Sequence, residues 1–386
     1  MTEVVIAGIG QTSVGEHWDT SLRELAFSAI EGAIKDAGGL RPQILIVGNM
    51  LAPILSKQAH LGGYVADFCG LTGIEAITIE AAGASGGAAL RQGYLAVASG
   101  VVNAALVVGV EKFTDMVGSD IETALSTSSD SDFESVHGLT LTAQAALLMR
   151  RYMHEFDIPR DGFAGFPLVA HTNGARNKNA MFQKAIKPEI YIKASMISEP
   201  VNMFDSAPYV DGAAAVVLTR RELLPEEFPH PLVRIAGSAT ASDTLALHDR
   251  HQPLVFSAVR LSVKRALIHA GVAREQVNLF EYHDAFSIFA ALSLEASGFA
   301  DVGQGWTFAR DKTIAQNGKL PCATFGGLKA RGNPGGATGI YQAVEATLQL
   351  RGQAGSNQVS FANVAMIQSL GGPAATAVTH ILTMIG

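Results

Sequence analysis

The sequence has little cysteine, no long apolar run and no basic cluster. Its two cysteines, Cys69 and Cys322, are too few for a disulfide framework or a zinc site, so we expect no structural metal. No run reaches the roughly 18 apolar residues that a membrane-spanning helix needs. A net charge of −7 without clustered lysine or arginine argues against nucleic acid or an anionic membrane as the main partner. Because Met1-Thr2-Glu3 lacks the basic and apolar stretches of a signal peptide, we expect a cytoplasmic protein.

Apolar residues and glycine are abundant instead. Hydrophobic residues make up 48% and charged residues 16% of the 386 positions, which excludes intrinsic disorder and allows a large buried core. Many of the 40 glycines adjoin alanine or serine, a pattern typical of tight strand–helix turns and close helix packing. We therefore expect an α/β protein.

The two ends of the chain carry the same order of elements. Near the N-terminus, apolar runs predict strands at 4–9, 44–47, 77–82 and 104–110, and further patterns predict helices at 21–36 and 88–98. The first helix begins with a capping box, formed by Ser21 and Glu24. The C-terminal third predicts strands at 233–237, 279–282, 364–368 and 375–382 and helices at 257–271 and 337–350. Two halves of βαβ type, each with a glycine-rich turn before a small-residue helix, indicate an internal duplication.

Residues 116–205 interrupt this order. They include a stretch rich in serine, threonine and aspartate at 123–132, which we interpret as a mobile surface loop, and a helical pattern at 139–156. A strand at 211–218 then resumes the sheet. Insertions of this size usually cover a site or form an oligomer contact.

Four motifs follow one another along the chain. They read EAAGASGG at 80–87, DTLALHDR at 243–250, EYHDAF at 281–286 and GGLKARGNPGGATG at 326–339. Together they resemble the motifs of the thiolase superfamily, in the branch of archaeal acetyl-CoA acetyltransferases and sterol-carrier-protein thiolases. The resemblance implies a duplicated, five-layered αβαβα thiolase fold with an inserted loop domain over an acyl-CoA site. The implied halves are residues 1–115 plus 206–225 and residues 226–386, the inserted domain is 116–205, and the protein forms a homodimer or a tetramer.

The residues that perform covalent chemistry in thiolases are missing from the matching positions. The resemblance places the family's nucleophilic cysteine at Gly83, its histidine at Asn333, and the acid/base cysteine of many relatives at Ala285. Residues 368–373 hold neither cysteine nor histidine. Loss of a nucleophile together with its base typically costs about a millionfold in turnover. We therefore interpret acyl transfer through an acyl-cysteine as excluded.

The resemblance still implies a set of binding residues. His283 holds a water or donates to a thioester oxygen, Asn333 keeps an N–H donor, and the backbone N–H groups of Gly83 and Gly371 form a second oxyanion hole. We expect the helix N-termini after the two glycine-rich turns to converge and to stabilise negative charge. Tyr341 is a candidate phenolic acid, with simple helix packing as the alternative. The remaining candidates contact the substrate: Ser85, His248, Phe286 and Gly335.

These observations leave several functions open. The leading interpretation is a thiolase-like protein that binds CoA or acyl-CoA as a ligand, has no covalently bound cofactor, and has lost its acyl-transfer centre. One alternative is a C–C lyase, a retro-aldolase that acts on β-hydroxyacyl-CoA without a covalent intermediate. Another is a non-catalytic scaffold subunit, since relatives of this branch often pair with a small zinc-ribbon/OB-fold protein.

The pentapeptide GASGG at 83–87 supports one more alternative, because it matches the G-x-S-x-G nucleophile elbow. On that interpretation Ser85 is the nucleophile of a serine hydrolase. The simpler interpretation is a tight turn in which small residues permit close packing.

Overall fold

The computed structural model describes residues 3–385; Met1, Thr2 and Gly386, at the ends of the expected domains, lie outside the described residues. The strands are β1 (Val4–Gln11), β2 (Ile44–Gly48), β3 (Glu75–Ile79), β4 (Ala104–Glu111), β5 (Met196–Ser198), β6 (Val201–Asn202), β7 (Gly212–Arg220), β8 (Val233–Ser242), β9 (Leu279–Glu281), β10 (Val364–Gly371) and β11 (Thr376–Met384). The α-helices are α1 (Leu22–Asp36), α2 (Ala52–Leu55), α3 (Leu61–Phe68), α4 (Ser85–Ala98), α5 (Gly118–Ser126), α6 (Leu141–Glu155), α7 (Gly165–Gly174), α8 (Pro188–Ile192), α9 (Ser257–Ala270), α10 (Ser287–Ala296), α11 (Gly305–Arg310) and α12 (Thr338–Leu350).

The sheet topology contains the same pattern twice. The hydrogen-bonded order is β3-β2-β4-β7-β1-β8-β11-β10-β9. The two sides of the sheet match when they are followed outward from its middle. One side has the order β1-β7-β4-β2 and the other has the order β8-β11-β10-β9. Each side consists of two antiparallel pairs followed by one parallel pair. The two halves of the sheet are hydrogen-bonded to each other between β1 and β8, where Val5 and Ile6 pair with Arg234 and Val233. The predicted duplication is therefore confirmed.

Helices separate and flank the two halves in five layers. Helices α4 and α12 contact strands of both halves and form the central layer, α1 and α3 cover the outer face of the first half, and α9 covers that of the second. All of α12 is buried except the half-buried Leu348, as a helix between two sheets must be. Strand β4 is buried at every position, which agrees with its uninterrupted apolar sequence.

Most predicted elements are confirmed within a few residues. The capping box of α1 is present, with the Ser21 N–H donating to Glu24 Oε2 at 2.8 Å. Helix α4 begins at Ser85 rather than at 88, because a 3₁₀ turn at Ala82–Ala84 leads directly into it. Helix α9 ends before Gly271, whose backbone is left-handed (φ 64°), a conformation that glycine tolerates best.

The predicted loop at 123–132 is wrong over its first residues, because α5 continues to Ser126. The hydroxyl groups of Thr123 and Ser126 donate hydrogen bonds to backbone carbonyls of the preceding turn. Their polar side chains are therefore accommodated within the helix. Ala124 and Leu125 are 1% exposed, and their burial outweighs the polar composition.

The inserted segment packs mainly on the second half. Residues of α6 and α7 share one hydrophobic cluster with residues of α9 and α10. Strands β5 and β6 form a separate two-stranded sheet. The boundaries of the three domains stay a prediction. Within residues 3–385, no helix is long and apolar enough to cross a membrane.

Candidate functional site

The N-termini of the two central helices meet. A 3₁₀ turn precedes each of them, Ala82–Ala84 before α4 and Gly335–Ala337 before α12. A Cβ atom on Gly86 would lie 2.7 Å from the carbonyl oxygen of Gly336, and one on Gly339 would lie 2.8 Å from Cα of Gly87. Only glycine permits such an approach, which brings the positive dipole ends of both helices to one place. Such a place suits a developing negative charge.

His283 faces the start of α4. A Cβ atom on Gly83 would lie 3.2 Å from Cε1 and 3.4 Å from Nε2 of His283, and 2.7 Å from the carbonyl oxygen of Leu370. Burial, assisted by the nearby positive charge of Arg331, lowers the pKa of His283 to about 3. The imidazole is therefore neutral at ordinary pH and offers one N–H donor. Its Nδ1 has no hydrogen-bond partner among the described residues.

Asn333 turns its amide toward the same place. Its Oδ1 accepts hydrogen bonds from the Gly335 N–H at 3.2 Å and from the Thr338 hydroxyl at 3.3 Å. Because a backbone N–H can only donate, these contacts assign the carbonyl end of the carboxamide to the loop. Nδ2 is the end of the carboxamide that remains as a donor, and Asn333 lines a small cavity together with His283. The backbone of Asn333 is held by its own N–H, which donates to the Pro208 carbonyl at 2.9 Å.

A small cavity of about 20 Å³ connects these groups. It brings together four of the predicted site residues: Gly83, His283, Asn333 and Gly335. The other walls are largely apolar and include Met50, Leu125, Leu141, Phe289 and Leu370. A space of this size accommodates about one water-sized group, so the site is nearly filled by its own side chains.

Ser85 does not reach this cavity. Its hydroxyl donates to the Ala82 carbonyl at 2.6 Å and accepts from the Ala81 N–H at 2.9 Å. The side chain therefore closes the turn before α4, and its hydrogen bonds join it to backbone rather than to a histidine. This arrangement matches the simple turn and gives no support to a serine hydrolase.

Tyr341 also lies away from the cavity. Its hydroxyl donates to the Thr12 carbonyl at 3.2 Å, and the Arg331 guanidinium lies 4.9 Å from the centre of its ring. Burial raises the pKa of Tyr341, so the phenol stays protonated. Tyr341 thus packs between the halves, and the structure does not place it as an acid at the site.

The three remaining candidates do not line the cavity. Gly371 is the last residue of β10, between Leu370 and Gly372, which both line the cavity. Phe286 is buried behind Phe289, with ring centres 5.1 Å apart. The exposed His248 side chain packs its ring against Phe133 at 5.9 Å, on the surface.

Glu111 is a site residue that sequence reasoning missed. Its buried carboxylate accepts from the N–H groups of Met50 and Gly336 at 2.8 and 3.0 Å and from the Asn49 amide at 2.9 Å. Burial raises the pKa of Glu111 to about 7, and these hydrogen bonds favour its charged form. Through these hydrogen bonds the carboxylate connects the end of β4 to the turn before α12. The connection positions one wall of the cavity. A charged residue at the end of an otherwise apolar strand was the available signal.

Buried charged residues near the site were not predicted from the sequence either, although two of them, Lys329 and Arg331, lie in the GGLKARG motif. The Lys329 amine donates to the Asp205 carbonyl at 2.6 Å, and burial lowers the pKa of Lys329 to about 8. Arg331 lies 3.4 Å from the Glu345 carboxylate, and burial raises the pKa of Glu345 to about 8. Of these charges, Arg331 acts on His283, where it adds to the effect of burial and opposes protonation of the imidazole.

A larger cleft lies elsewhere. It has a volume of about 1060 Å³ and lies between α7 and the loops at 315–319 and 358–361, beside the start of β9. His283 follows the opposite end of β9, and none of the predicted site residues lines this cleft. Among residues 3–385, no group of three or more His, Cys, Asp or Glu side chains could hold a metal ion.

Comparisons with known proteins cover nearly the whole chain. The family model "Thiolase, N-terminal domain" matches residues 4–222, and "Thiolase C-terminal domain-like" matches residues 239–384. An acetyl-CoA acetyltransferase of Methanothermobacter thermautotrophicus is 40% identical over 99% of this chain and 100% of that protein. A 17-hydroxy-3-oxo-4-pregnene-20-carboxyl-CoA lyase of Mycobacterium tuberculosis is 27% identical over 91% of this chain and 92% of that protein.

A solved structure supports the fold. The protein described as "Ltp2-ChsH2(DUF35) aldolase" superposes with a TM-score of 0.85 at 24% identity, over 99% of this chain and 98% of that one. The duplicated sheets, the paired helix N-termini and both family models agree. The chain belongs to the thiolase family.

Proposed function

We propose that this chain binds acyl-CoA thioesters at the cavity beside His283 and does not form an acyl-cysteine. The observation that carries the proposal is the residue facing His283 at the start of α4, which is Gly83. Glycine has no atom that can accept an acyl group. The acetyl-CoA acetyltransferase named among the relatives supports a CoA thioester as the ligand class.

The residues of the cavity would bind and polarise a thioester rather than attack it. Neutral His283 and the Nδ2 amide of Asn333 are donors to a carbonyl or enolate oxygen. The convergent N-termini of α4 and α12 add positive potential, and the apolar walls exclude water, which strengthens both effects. His283 is a weak base, because burial lowers its pKa to about 3.

Three measurements on the purified protein test this function. Calorimetry with CoA and acetyl-CoA should detect binding, and thiolysis of acetoacetyl-CoA should be slower than in a cysteine-bearing thiolase by about a millionfold. Mass spectrometry after incubation with acetyl-CoA should detect only the unmodified chain. An acetyl adduct beside residue 83, or rapid thiolysis, would contradict the proposal; absence of any binding would favour a scaffold subunit.

A second candidate is carbon–carbon bond cleavage on a β-hydroxyacyl-CoA. The lyase and the aldolase named among the similar proteins favour it. In this reaction a base takes the proton of the β-hydroxyl group, the Cα–Cβ bond breaks to release an aldehyde or ketone, and the acyl-CoA enolate is reprotonated. No protein nucleophile is needed. Release of a carbonyl product from a β-hydroxyacyl-CoA would establish this activity, and a rate equal to that of the buffer would exclude it for that substrate.

We further propose a homodimer formed through β3. This strand ends the sheet, and on its outer side no other strand of residues 3–385 pairs with it. Its side chains are mostly exposed, with Ile77 42% exposed. An uncovered apolar edge strand is a ready surface for a second copy. Ile77→Lys should shift the mass in light scattering toward the monomer, whereas Ile268→Lys, at another exposed isoleucine, should leave it unchanged.

A small zinc-ribbon/OB-fold partner is also part of the proposal. The support is the aldolase structure, which contains a second protein, ChsH2, described as DUF35. Co-expression with a protein of that type encoded beside this chain should produce one complex in size-exclusion chromatography. Separate elution of the two proteins at micromolar concentration would contradict such a partnership.

A further inference from the structure

We propose that the cleft between α7 and the loops at 315–319 and 358–361 is a second binding site, which takes an amphipathic anion. By this we mean a small molecule that has a carboxylate or phosphate head group on an apolar body. The inference does not rest on the proposed function, because the cleft lies beside the start of β9 and His283 follows the opposite end of that strand.

The cleft is large enough for a whole small molecule. Its volume is about 1060 Å³. Ligand pockets typically have volumes of about 300–1,000 Å³. One face of α7 forms a wall, where Gly165, Leu168 and Thr172 follow one another at helical spacing. The cleft is therefore built on a packed helix and has room for an apolar body as well as a head group.

Apolar side chains that face the cleft are incompletely covered. Leu168 and Val169 of α7 are half-buried, and the buried Val277 and Val359 line the cleft as well. Phe361 belongs to the 358–361 loop and is 89% exposed. An apolar body bound here would remove this surface from water, which is favourable.

Three cations line the cleft around one turn, in a chain whose net charge is −7. They are Lys312, Lys319 and Arg176, and none of them forms an ion pair within residues 3–385. A Cβ atom on Gly318 would lie 2.6 Å from the Lys312 carbonyl oxygen, so the turn between the two lysines is compact. The Arg176 guanidinium donates to the Gln316 side chain in the same turn. A bound anion would offset the mutual repulsion of these charges.

The other charged groups of the lining leave this positive excess in place. Arg310 is paired with Asp311 at 2.7 Å, and Glu275 is paired with Arg274 at 2.7 Å. Asp161 is the one further carboxylate among the described residues that line the cleft. Three unpaired cations thus face one unpaired carboxylate, which favours a negatively charged ligand.

Asn278 adds a neutral donor. Its Oδ1 accepts hydrogen bonds from the N–H groups of Asn363 and Val364, both at 2.9 Å. Because a backbone N–H can only donate, Nδ2 is the end of the carboxamide that remains as a donor, and Asn278 lines the cleft. A carboxylate or a phosphate accepts hydrogen bonds from such a group.

Trp306 supplies a fluorescent reporter for the test. The guanidinium of Arg310, which lines the cleft, lies 4.7 Å from the centre of the Trp306 ring. The other tryptophan, Trp18, is 63% exposed, so Trp18→Phe leaves one reporter in the full chain. Octyl phosphate and octanoate are the two amphipathic anions for the titration. Octyl glucoside is the neutral control, and inorganic phosphate is the head group alone.

At least one of the two anions should saturate with a dissociation constant below about 1 mM. Octyl glucoside and inorganic phosphate should bind at least about tenfold more weakly, since each lacks one half of the interaction. The anion that binds more tightly identifies the head group. Calorimetry on the wild-type chain should give the same order of affinities.

Two charge variants test the role of the turn. Lys312→Gln and Lys319→Gln should each weaken binding of the tighter anion by about three- to fivefold. Lys264→Gln is the matched control, because Lys264 is an exposed lysine of α9 that does not line the cleft, and it should leave the affinity unchanged. Saturating acetyl-CoA should not displace the anion.

The wild-type titrations do not depend on the folding of any variant. No saturation by either anion at about 5 mM would overturn the inference. Equal affinity for octyl glucoside, or an equal effect of the three lysine substitutions, would also overturn it. Displacement by acetyl-CoA would show that the anion occupies the cavity beside His283 instead. Failure of acetyl-CoA itself to bind would refute the proposed function and leave this inference standing.

Discussion

The surroundings of position 83 suit glycine. A Cβ atom there would lie 2.7 Å from the Leu370 carbonyl oxygen, closer than the 3.0 Å that real Cβ atoms respect. We therefore expect Gly83→Cys to destabilise the protein by about 1–3 kcal/mol and not to restore thiolysis. Urea unfolding and an acetoacetyl-CoA assay measure the two effects.

Gly83→Ala is the control for this substitution, since it adds the same Cβ atom without a thiol. Both variants should lose similar stability. Efficient turnover by Gly83→Cys, or a covalent acetyl group on its new cysteine, would contradict this expectation. It would mean that the backbone around Leu370 can shift to accept the side chain and that a thiol at position 83 is sufficient for acyl transfer.

His283 makes the stability depend on pH. An unfolded histidine has a pKa of 6.5, and burial lowers the pKa of His283 to about 3 in the folded protein. Between these values only the unfolded state binds the proton, so the free energy of unfolding decreases as the pH falls, by up to about 1.4 kcal/mol per pH unit from this residue. His283→Asn should therefore show a shallower loss between pH 6.5 and 4.5 than the wild type.

The comparison is measured by urea unfolding at several pH values. His248→Asn is the matched control, because it makes the same substitution at an exposed side chain outside the cavity. Parallel slopes for wild type and His283→Asn would show that His283 is solvated or paired in the folded state.

At the scale of elements, the crossing of α4 and α12 depends on small residues. A Cβ atom on Gly339 would collide with the Gly87 backbone and lie 2.7 Å from Ser369 Oγ. We expect Gly339→Ala to destabilise the protein by about 3 kcal/mol or more, because two backbones have to separate. Thermal unfolding measures this cost.

Gly118→Ala is the control, since a Cβ atom on Gly118 in α5 meets nothing within 4 Å. It should be neutral or stabilise the protein by up to about 1 kcal/mol through its effect on the unfolded chain. Similar stability for the two variants would mean that the helices can move apart at little cost.

The elements themselves were largely predictable from the sequence. Strand β4 and helix α9 follow from an apolar run and from a periodic pattern that ends at Gly271. The error at 123–126 arose because composition describes a segment without its surroundings, whereas burial of Ala124 and Leu125 depends on contacts with distant residues. The start of α4 was placed late for a similar reason, because small residues carry little periodic signal.

For the whole molecule, the central helix layer predicts a single cooperative unit. Because α4 and α12 contact strands of both halves, neither half can keep its core when the other unfolds. Hydrogen exchange followed by mass spectrometry should therefore give equal opening free energies for the amides of β4 and β10, within about 1 kcal/mol. A lower value for only one of the two core strands would show that the halves unfold separately.

The sequence by itself determined the class of the molecule. Its apolar runs, its repeated order of elements and its four motifs were sufficient for the duplicated fold and the family.

Only the tertiary structure decided which motif residues share a site. It placed Gly83, His283 and Asn333 around one cavity, and it placed Tyr341 against Thr12 and the Ser85 hydroxyl against its own turn. It also showed that Leu125 and Leu141 line this cavity and that Glu111 holds the turn before α12. The local sequence pattern shows which face of a helix or strand is apolar. The distance between residues two hundred positions apart depends instead on how whole layers pack, and no short stretch of sequence contains that information.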